Sequence, residues 1–507
     1  ARRLIREHLS LIDEDFRRSP RAREVFEQIL CADKRVTSTL TAMNEIGLLG
    51  TFIPEWEHVV CRWQHVMYHT YTVDVHSIFL VEELRRLLLG EYAKEFPDLV
   101  DLMKSVDDRT VLFLGCLLHD IGKGFGGDHS NKGVERALPA VARLGLSPER
   151  QARIIFLVKT HLLMSHLAQR RDLTDPKLIF EFAKTCGDRQ NLRSLYLLTF
   201  ADMRASSAKA WTDWKGRLLG ELFERTSELL ETGSPEEGRA FEILERRMEL
   251  RRDAAGEELQ RSGIPPERIE AFFEMMPRRY FTAHAPAQIV RHARVLLSLE
   301  PGQLVATARR ETRGDFTEVI VCTEDRHGLY ANIAGVLTAH DINILGAQVY
   351  STRNGLALEI YRVSTPPGGP DERRFAWEQF DRSLEKVLSG DARVDELLTS
   401  RIRPPGGGRP SGSPADVSVS NQESDFYTIV DVAADDRLGL LHDLTRTIAE
   451  HGCEIYISKA AKIRDQVTDT FYLKDHEGKK LADQEAIERL RLDLLAAAQA
   501  GQEARGA

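Results

Sequence analysis

The sequence predicts an all-α domain of about 300 residues followed by two copies of a small α+β unit. Three observations predict it. Apolar residues recur at helical spacing through the first part of the chain. After Pro301 the texture changes to β-branched runs. From there a segment of the chain repeats itself after 111 positions.

The chain has 507 residues, 42% of them hydrophobic, enough for several cores. Its net charge of −9 is the wrong sign for coating nucleic acid, which needs a basic footprint. The six cysteines are scattered without a CxxC pair, which reads as reduced thiols in a cytoplasmic protein. No apolar run approaches a membrane span, and the first residues carry no signal-peptide core, so no membrane partner is expected.

In the first part, Ile78, Val81, Leu84, Leu87 and Leu88 mark one helix face. Breaks are short: Gly47 to Pro54, Gly122 to Gly127, Pro176, Gly233 to Pro235 and Pro265-Pro266. Residues 1–60 read as a helical segment preceding the main helical domain at 61–300, whose trailing helices pack around it.

Beyond Pro301, Phe316 to Thr323 reads as a strand. A helix follows, then strands at Ile342 to Tyr350 and Leu356 to Val363. A helix covers 373–389, and Val394 to Ile402 reads as a last strand, giving βαββαβ. Residues 404–424, rich in Pro, Gly and Ser, read as a linker. The pattern then returns over 425–500. Asp325, Arg326, Gly328 and Leu329 align with Asp436, Arg437, Gly439 and Leu440. The second copy lacks a strand after its final helix.

The chemistry-bearing residues lie in the helical part. Val111 to Leu118 reads as a buried helix ending in His119-Asp120, a pair costly to bury without partners. His129 sits beside a glycine-rich turn. His161 lies near the end of an apolar segment, and Asp202 lies on an apolar helix. Upstream, His69 and His76 are seven apart and share a helix face. A lone histidine is usually a satisfied core residue. The ordered set of imidazoles and carboxylates instead suits one or two first-row divalent cations, two of them sharing Asp120.

This ordered set resembles the HD phosphohydrolase superfamily. The strings YTVDVHS at 71–77, HDIGKGFGGDHS at 119–130, HLLMS at 161–165 and AQRRDLTDP at 168–176 are similar to one family within it. That family is the uridylyltransferase/uridylyl-removing enzymes that control the PII nitrogen-signalling protein. The resemblance covers nearly the whole chain, including MNEIGLLGTFIPEW at 43–56. It implies His76, His119, Asp120 and Asp202 as primary metal ligands, with Mg or Mn as the ion. His129 and His161 match a second-metal or phosphate site in related enzymes, and His69 matches a further position. The implied reaction is hydrolytic removal of UMP from uridylylated PII. The family's transferase domain opens with a Gly-Ser turn and an Asp-x-Asp pair. Neither precedes the helical part here, so the uridylyl-adding activity is not expected.

Lys123 lies one helical turn beyond His119 and is a candidate for neutralising phosphate or the leaving phenolate. Arg170, Arg171, Arg278, Arg279 and Arg291 are candidates for holding a phosphate or an acidic partner face, with solvated surface the favoured reading.

Residues 316–403 and 425–500 resemble ACT domains, ferredoxin-like ligand-sensing modules. Gly328 and Gly439 permit the tight turn that opens a helix, whose free N–H groups suit an amino-acid carboxylate. Asn332 and Asp443, one turn further, are placed to receive the amino group. The resemblance implies glutamine as effector, and leaves open whether two chains pair through these modules.

Two other readings compete. Guanosine tetraphosphate hydrolases also join such parts, but they usually carry Glu-Asp soon after His-Asp, where this chain has Ile-Gly-Lys-Gly. A non-catalytic scaffold that senses an amino acid and docks PII would not need all six ligand-type groups.

Overall fold

The computed structural model describes residues 2–63, 71–207, 210–231, 237–299, 303–311, 316–399, 414–463 and 466–500. Two compact units emerge. One comprises residues 1–168 and 182–235; the other comprises 169–181 and 236–507.

The first unit is helical. The Val73–Leu88 helix buries Ile78, Val81, Leu84 and Leu87, the face that periodicity predicts. Burying each such side chain contributes roughly 1.5–3 kcal/mol. The Arg109–Leu118 helix starts where the Asp108 side chain accepts from Val111 N–H, and every residue from Thr110 onward is buried. A helix apolar all round has to run through a core. The His129–Arg143 helix is capped by Asp128 and the Pro148–Thr160 helix by Ser147. Two glycines let these helices approach. A Cβ at Gly115 would come within 2.5 Å of Leu157, and one at Gly122 within 2.2 Å of the Gly133 backbone nitrogen.

The second unit is built on an eight-stranded antiparallel sheet. Its strands are β1 (Val305–Glu311), β2 (Phe316–Glu324), β3 (Ile344–Ser351), β4 (Leu356–Ser364), β5 (Asp416–Ser420), β6 (Thr428–Asp435), β7 (Cys453–Ile463) and β8 (Gln466–Asp475). The order is β1-β2-β4-β3-β7-β8-β6-β5. The two halves mirror each other and meet at β3 and β7 over three residue pairs, Gly346↔Lys459, Ala347↔Ser458 and Gln348↔Ile457.

Strand periodicity sorts side chains between the two faces. Val319, Val321, Tyr361, Val430, Val432 and Phe471 join a core with the module helices Leu329–Ala339, Pro370–Ser389, Leu440–Glu450 and Gln484–Gln499. On the opposite face, Ile320, Cys322, Leu358 and Ile360 pack against Phe272, Tyr280 and Ile289. Those three come from helices between Glu237 and Ser298. These trailing helices therefore belong with the first module's sheet rather than with the helical unit, contrary to expectation.

Two further expectations are corrected. Val394–Thr399 is a helix, not a last strand; Asp395 and Glu396 in its first turn favour a helix N-terminus. The fourth strand instead comes first in each module, as β1 and β5, so the order is ββαββα rather than βαββαβ. β5 occupies part of the stretch read as linker 404–424, while residues 400–413 lie outside the described residues. Both missed strands are sheet edges with weak alternation, VATARRE and DVSVS.

All six cysteines are free thiols. Among the described residues, no helix is long and apolar enough to cross a membrane.

Candidate metal centre

Five chain segments deliver the histidine and aspartate side chains to one place in the helical unit. His76 stands in the first turn of the Val73–Leu88 helix. His119 and Asp120 follow the Arg109–Leu118 helix directly. His129 opens its own helix, His161 follows Pro148–Thr160, and Asp202 lies near the end of Arg189–Ser206.

The ligand-type atoms fall into two groups, each spanning at most 4.8 Å: His76, His119 and Asp202, and Asp120, His129 and His161. Asp120 faces both. Its Oδ2 lies 3.1 Å from His119 Nε2 and 4.0 Å from His76 Nε2. Its Oδ1 lies 3.7 Å from His161 Nε2 and 3.9 Å from His129 Nε2. Lys123 Nζ approaches Asp120 Oδ2 at 2.5 Å. His69 lies outside the described residues.

The protonation pattern suits a cation. His119 Nδ1 donates to the Cys116 carbonyl at 2.7 Å and His161 Nδ1 to the Val158 carbonyl at 2.8 Å. A neutral ring that donates through Nδ1 leaves a lone pair on Nε2. His161 Nε2 makes no hydrogen bond, His119 Nε2 faces Asp120 Oδ2 at 3.1 Å, and both rings are buried at 1% exposure. Bare imidazole lone pairs facing buried carboxylates are costly unless a cation lies between them. The donor set of imidazoles and carboxylates fits a first-row divalent ion, so the residues present suit the implied metal.

Electrostatics agree. Burial alone would raise the Asp120 carboxyl, but His119, Lys123 and His161 hold it well below the usual range. Burial would likewise raise Asp202, yet the hydrogen bond and charge of His76 keep it low. Burial, with His119 beside it, pushes His161 down to about 4. Asp120 is almost wholly buried, whereas the side chains of His129 and Asp202 are each 21% exposed. They mark the side open to solvent.

The glycine turns of the two modules are equivalent. Gly328 and Gly439 cap their helices with φ of +74° and +82°, a conformation that favours glycine. Leu329 and Leu440 are buried behind them, while Asp325 and Asp436 are exposed. Arg326 reaches Glu324 at 2.6 Å. Arg437 pairs with Asp443 at 2.7 Å, so in the second copy that carboxylate is already engaged; Asn332 is half-buried.

Several notable residues escaped sequence reasoning. Glu359 and Asp469 occupy matching positions on β4 and β8, opposite Val321 and Val432. Burial pushes Glu359 up to about 8, with Asp325 and Glu454 adding to the effect. Burial and Asp436 push Asp469 up to about 7. An acid hidden inside a strand leaves no sequence signal beyond one charge out of phase with the apolar alternation. Arg171, read as solvated surface, is buried against Asp431, and Arg291 pairs with the buried Glu318 at 2.9 Å.

Comparison with known proteins places this geometry in context. Residues 1–52 match the family model described as Uridylyltransferase GlnD third domain, and residues 244–295 match the GlnD fifth domain. The bifunctional uridylyltransferase/uridylyl-removing enzyme of Azospirillum brasilense is 34% identical over 98% of this chain and 53% of its own length. That of Methylococcus capsulatus is 33% identical over 97% of this chain and 56% of its own. The Caulobacter vibrioides enzyme is 32% identical over 96% and 52%. The chain spans about half the length of the curated relatives it matches.

Proposed function

As this chain is a relative, along nearly all of its length, of the bifunctional uridylyltransferase/uridylyl-removing enzymes, we propose that its histidine–aspartate centre performs uridylyl removal. The substrate is uridylylated PII, the reaction is phosphodiester hydrolysis, and the small modules sense glutamine. The observation that supports it most is the pair of ligand groups meeting at Asp120.

A divalent cation, Mg or Mn, would be held by these groups and, when bound, would acidify water and draw charge from phosphoryl oxygens. The chain's own residues do the rest. His76, His119, Asp120 and Asp202 would hold one cation, and His129 and His161 would help hold a second. The hydrogen bonds to the Cys116 and Val158 carbonyls fix two rings in the ligating tautomer. Lys123, beside Asp120, offers positive charge to the phosphate or to the departing phenolate. In the balanced reaction the water oxygen bonds phosphorus and the bond from phosphorus to the tyrosyl oxygen breaks. The water proton ends on the phenolate, giving UMP and tyrosine.

For the modules, the helix N-termini behind Gly328 and Gly439 offer N–H groups to a carboxylate. Glutamine bound there favours the hydrolytic state by its differential affinity for it.

The test is incubation of the full chain with uridylylated PII, Mn²⁺ or Mg²⁺, and glutamine, with UMP followed by chromatography. Release that vanishes in His119→Ala and Asp120→Ala proteins supports the reading. Release persisting in both removes the site from consideration. Loss of the glutamine response in Gly328→Trp or Gly439→Trp, with basal release retained, locates the effector.

A further inference from the structure

Two strings of the helical unit, MNEIGLLGTFIPEW at 43–56 and YTVDVHS at 71–77, meet in the fold, yet the first contributes no member to either ligand group. It starts in the last turn of the Val36–Glu45 helix, where Asn44 lies. Gly47 then takes φ of +82° and turns the chain, and Pro54 opens a short 3₁₀ helix that brings Trp56 back to Asn44. Trp56 is 1% exposed, and its indole Nε1 donates to Asn44 Oδ1 at 2.8 Å. Asn44 Nδ2 in turn donates to Asp74 Oδ2 at 2.7 Å. An indole can only donate and a carboxylate only accepts, so the amide between them has one orientation. Asp74 lies in the first turn of the Val73–Leu88 helix, two residues before His76. The whole relay lies inside the helical unit.

As a packing device this relay is expensive. Asp74 is 1% exposed, and its Oδ1 makes no hydrogen bond among the described residues. A half-satisfied buried carboxylate is less stable than an apolar residue of the same size. The attraction of an acid to a helix N-terminus is available to an exposed acid as well. What the relay does supply is a fixed placement. Thr72 gives the Val73–Leu88 helix no side-chain cap. Its entry is held instead by Val73 N–H, which donates to the Arg62 carbonyl at 3.0 Å, and by the Asn44–Asp74 bond. Further along the same two helices, Thr37 donates to Glu82. Both cross-links form together only in one antiparallel register of the pair. A slip of one residue would displace the helix by about 1.5 Å and turn it by about 100°. His76 tolerates no such movement. Its Nε2 stands 3.0 Å from Asp202 Oδ1 and 4.0 Å from Asp120 Oδ2, and ligating atoms have to be held to within about 0.5 Å.

We propose that Asp74 is a positioning residue: the Trp56–Asn44–Asp74 relay sets the register of the Val73–Leu88 helix, and thereby holds His76 where the His76, His119 and Asp202 group takes its cation. The inference rests on the metal-dependent hydrolase reading above and gives the 43–56 string its part in that site. The effect is confined to one group, because His129 and His161 are carried by other helices that the relay does not touch.

The experiment measures Mn²⁺ binding to the full chain by electron paramagnetic resonance, alongside UMP release and urea unfolding. Asn44→Asp sets two carboxylates against each other. It is expected to weaken, by about tenfold or more, the Mn²⁺ position that Asp202→Ala removes, the scale on which losing an orienting partner acts. Adding Asp74→Asn reverses the pair, so that the amide donates from position 74 to a carboxylate at position 44 that still accepts from Trp56. Affinity is then expected to return to within about twofold of the parent. Trp56→Phe keeps a buried ring and removes only the indole donor, so it tests the relay even if Asn44→Asp does not fold. It is expected to weaken the same position, and its UMP release is expected to recover when Mn²⁺ is raised, which a general loss of structure would not allow. Variants that bind Mn²⁺ as the parent does overturn the proposal, however far their urea midpoints fall. Equal weakening of every Mn²⁺ position overturns it too, as does an exchanged pair that recovers nothing. A parent whose Mn²⁺ affinity depends on Asn44 and Trp56 but which releases no UMP leaves the relay standing and discards the hydrolase reading. A parent that binds no Mn²⁺ discards both.

Discussion

His76 Nε2 lies 3.0 Å from Asp202 Oδ1, although 126 residues separate them. Neither helix has a local reason to turn an ionisable group inward, so the pairing reflects the site they share. Truncation of either residue is expected to remove one cation position. UMP release by His76→Ala or Asp202→Ala should fall by roughly a thousandfold, the several kcal/mol that such an ion supplies. Chelation of the parent protein should do the same, with Mn²⁺ restoring the rate. Undiminished release after exhaustive chelation would show that no metal takes part.

Gly122 and Gly126 lie in the same glycine-rich turn but answer different demands. A Cβ at Gly122 would meet the His129 carbonyl oxygen at 2.1 Å, and backbone cannot move aside cheaply. Gly126 has open space, and its φ of +73° alone opposes a side chain. Gly126→Ala is expected to cost about 1 kcal/mol and leave metal binding intact. Gly122→Ala is expected to displace the His129 helix from Asp120 and abolish binding at that group. Calorimetric titration with Mn²⁺ separates the two, and equal behaviour would contradict the close approach.

Glu359 is held protonated by burial, with its folded pKa near 8 against an ordinary value of 4.5. A raised carboxyl contributes stability that is complete below the unfolded value and is lost as pH rises towards the folded one. Between about pH 4.5 and 8 the parent should therefore lose stability relative to Glu359→Gln, by at most about 1.4 kcal/mol per pH unit. Urea unfolding of both proteins at pH 5 and 7.5 gives the difference. A gap that does not widen with pH would mean that Glu359 is ionised in the fold.

His292 behaves in the opposite sense. Burial depresses it to about 3, and its Nδ1 pairs with the Tyr280 hydroxyl at 3.0 Å. A depressed imidazole contributes stability present above the unfolded value of 6.5 and lost as pH falls towards the folded one. His292→Gln, which can still bond Tyr280 but takes up no proton, is expected to flatten the acid side of the stability profile between pH 6.5 and 5. The parent-minus-variant slope should approach 1.4 kcal/mol per pH unit. A slope near zero would place a protonated ring in the core.

What the sequence made legible follows from the range of the forces involved. His76, His119, Asp120, His129, His161 and Asp202 stood out because metal-ligating residue types on apolar helices are expensive unless used. The strands β2 and β4 stood out because both their faces are buried in β-branched runs. The edge strands β1 and β5 did not, since both are short of β-branched residues or alternate weakly, and their polar residues read as loop. The partner of Arg171 was beyond reach: Asp431 lies 260 residues away, and an arginine destined for burial looks like any other. The destination of Phe272, Tyr280 and Ile289 was hidden for the same reason. An amphipathic helix announces that it has a partner and says nothing of which.

The narrow seam between β3 and β7 carries an evolutionary consequence. Where two such halves sit on separate polypeptides, their encounter depends on concentration and both must change together. Here the halves are tethered, so each always finds its counterpart and each can drift alone. The halves still share a buried acid at the same place, Glu359 opposite Val321 and Asp469 opposite Val432. A duplicated module of this kind is free to specialise, because a change in one half leaves the other half's copy of the fold intact.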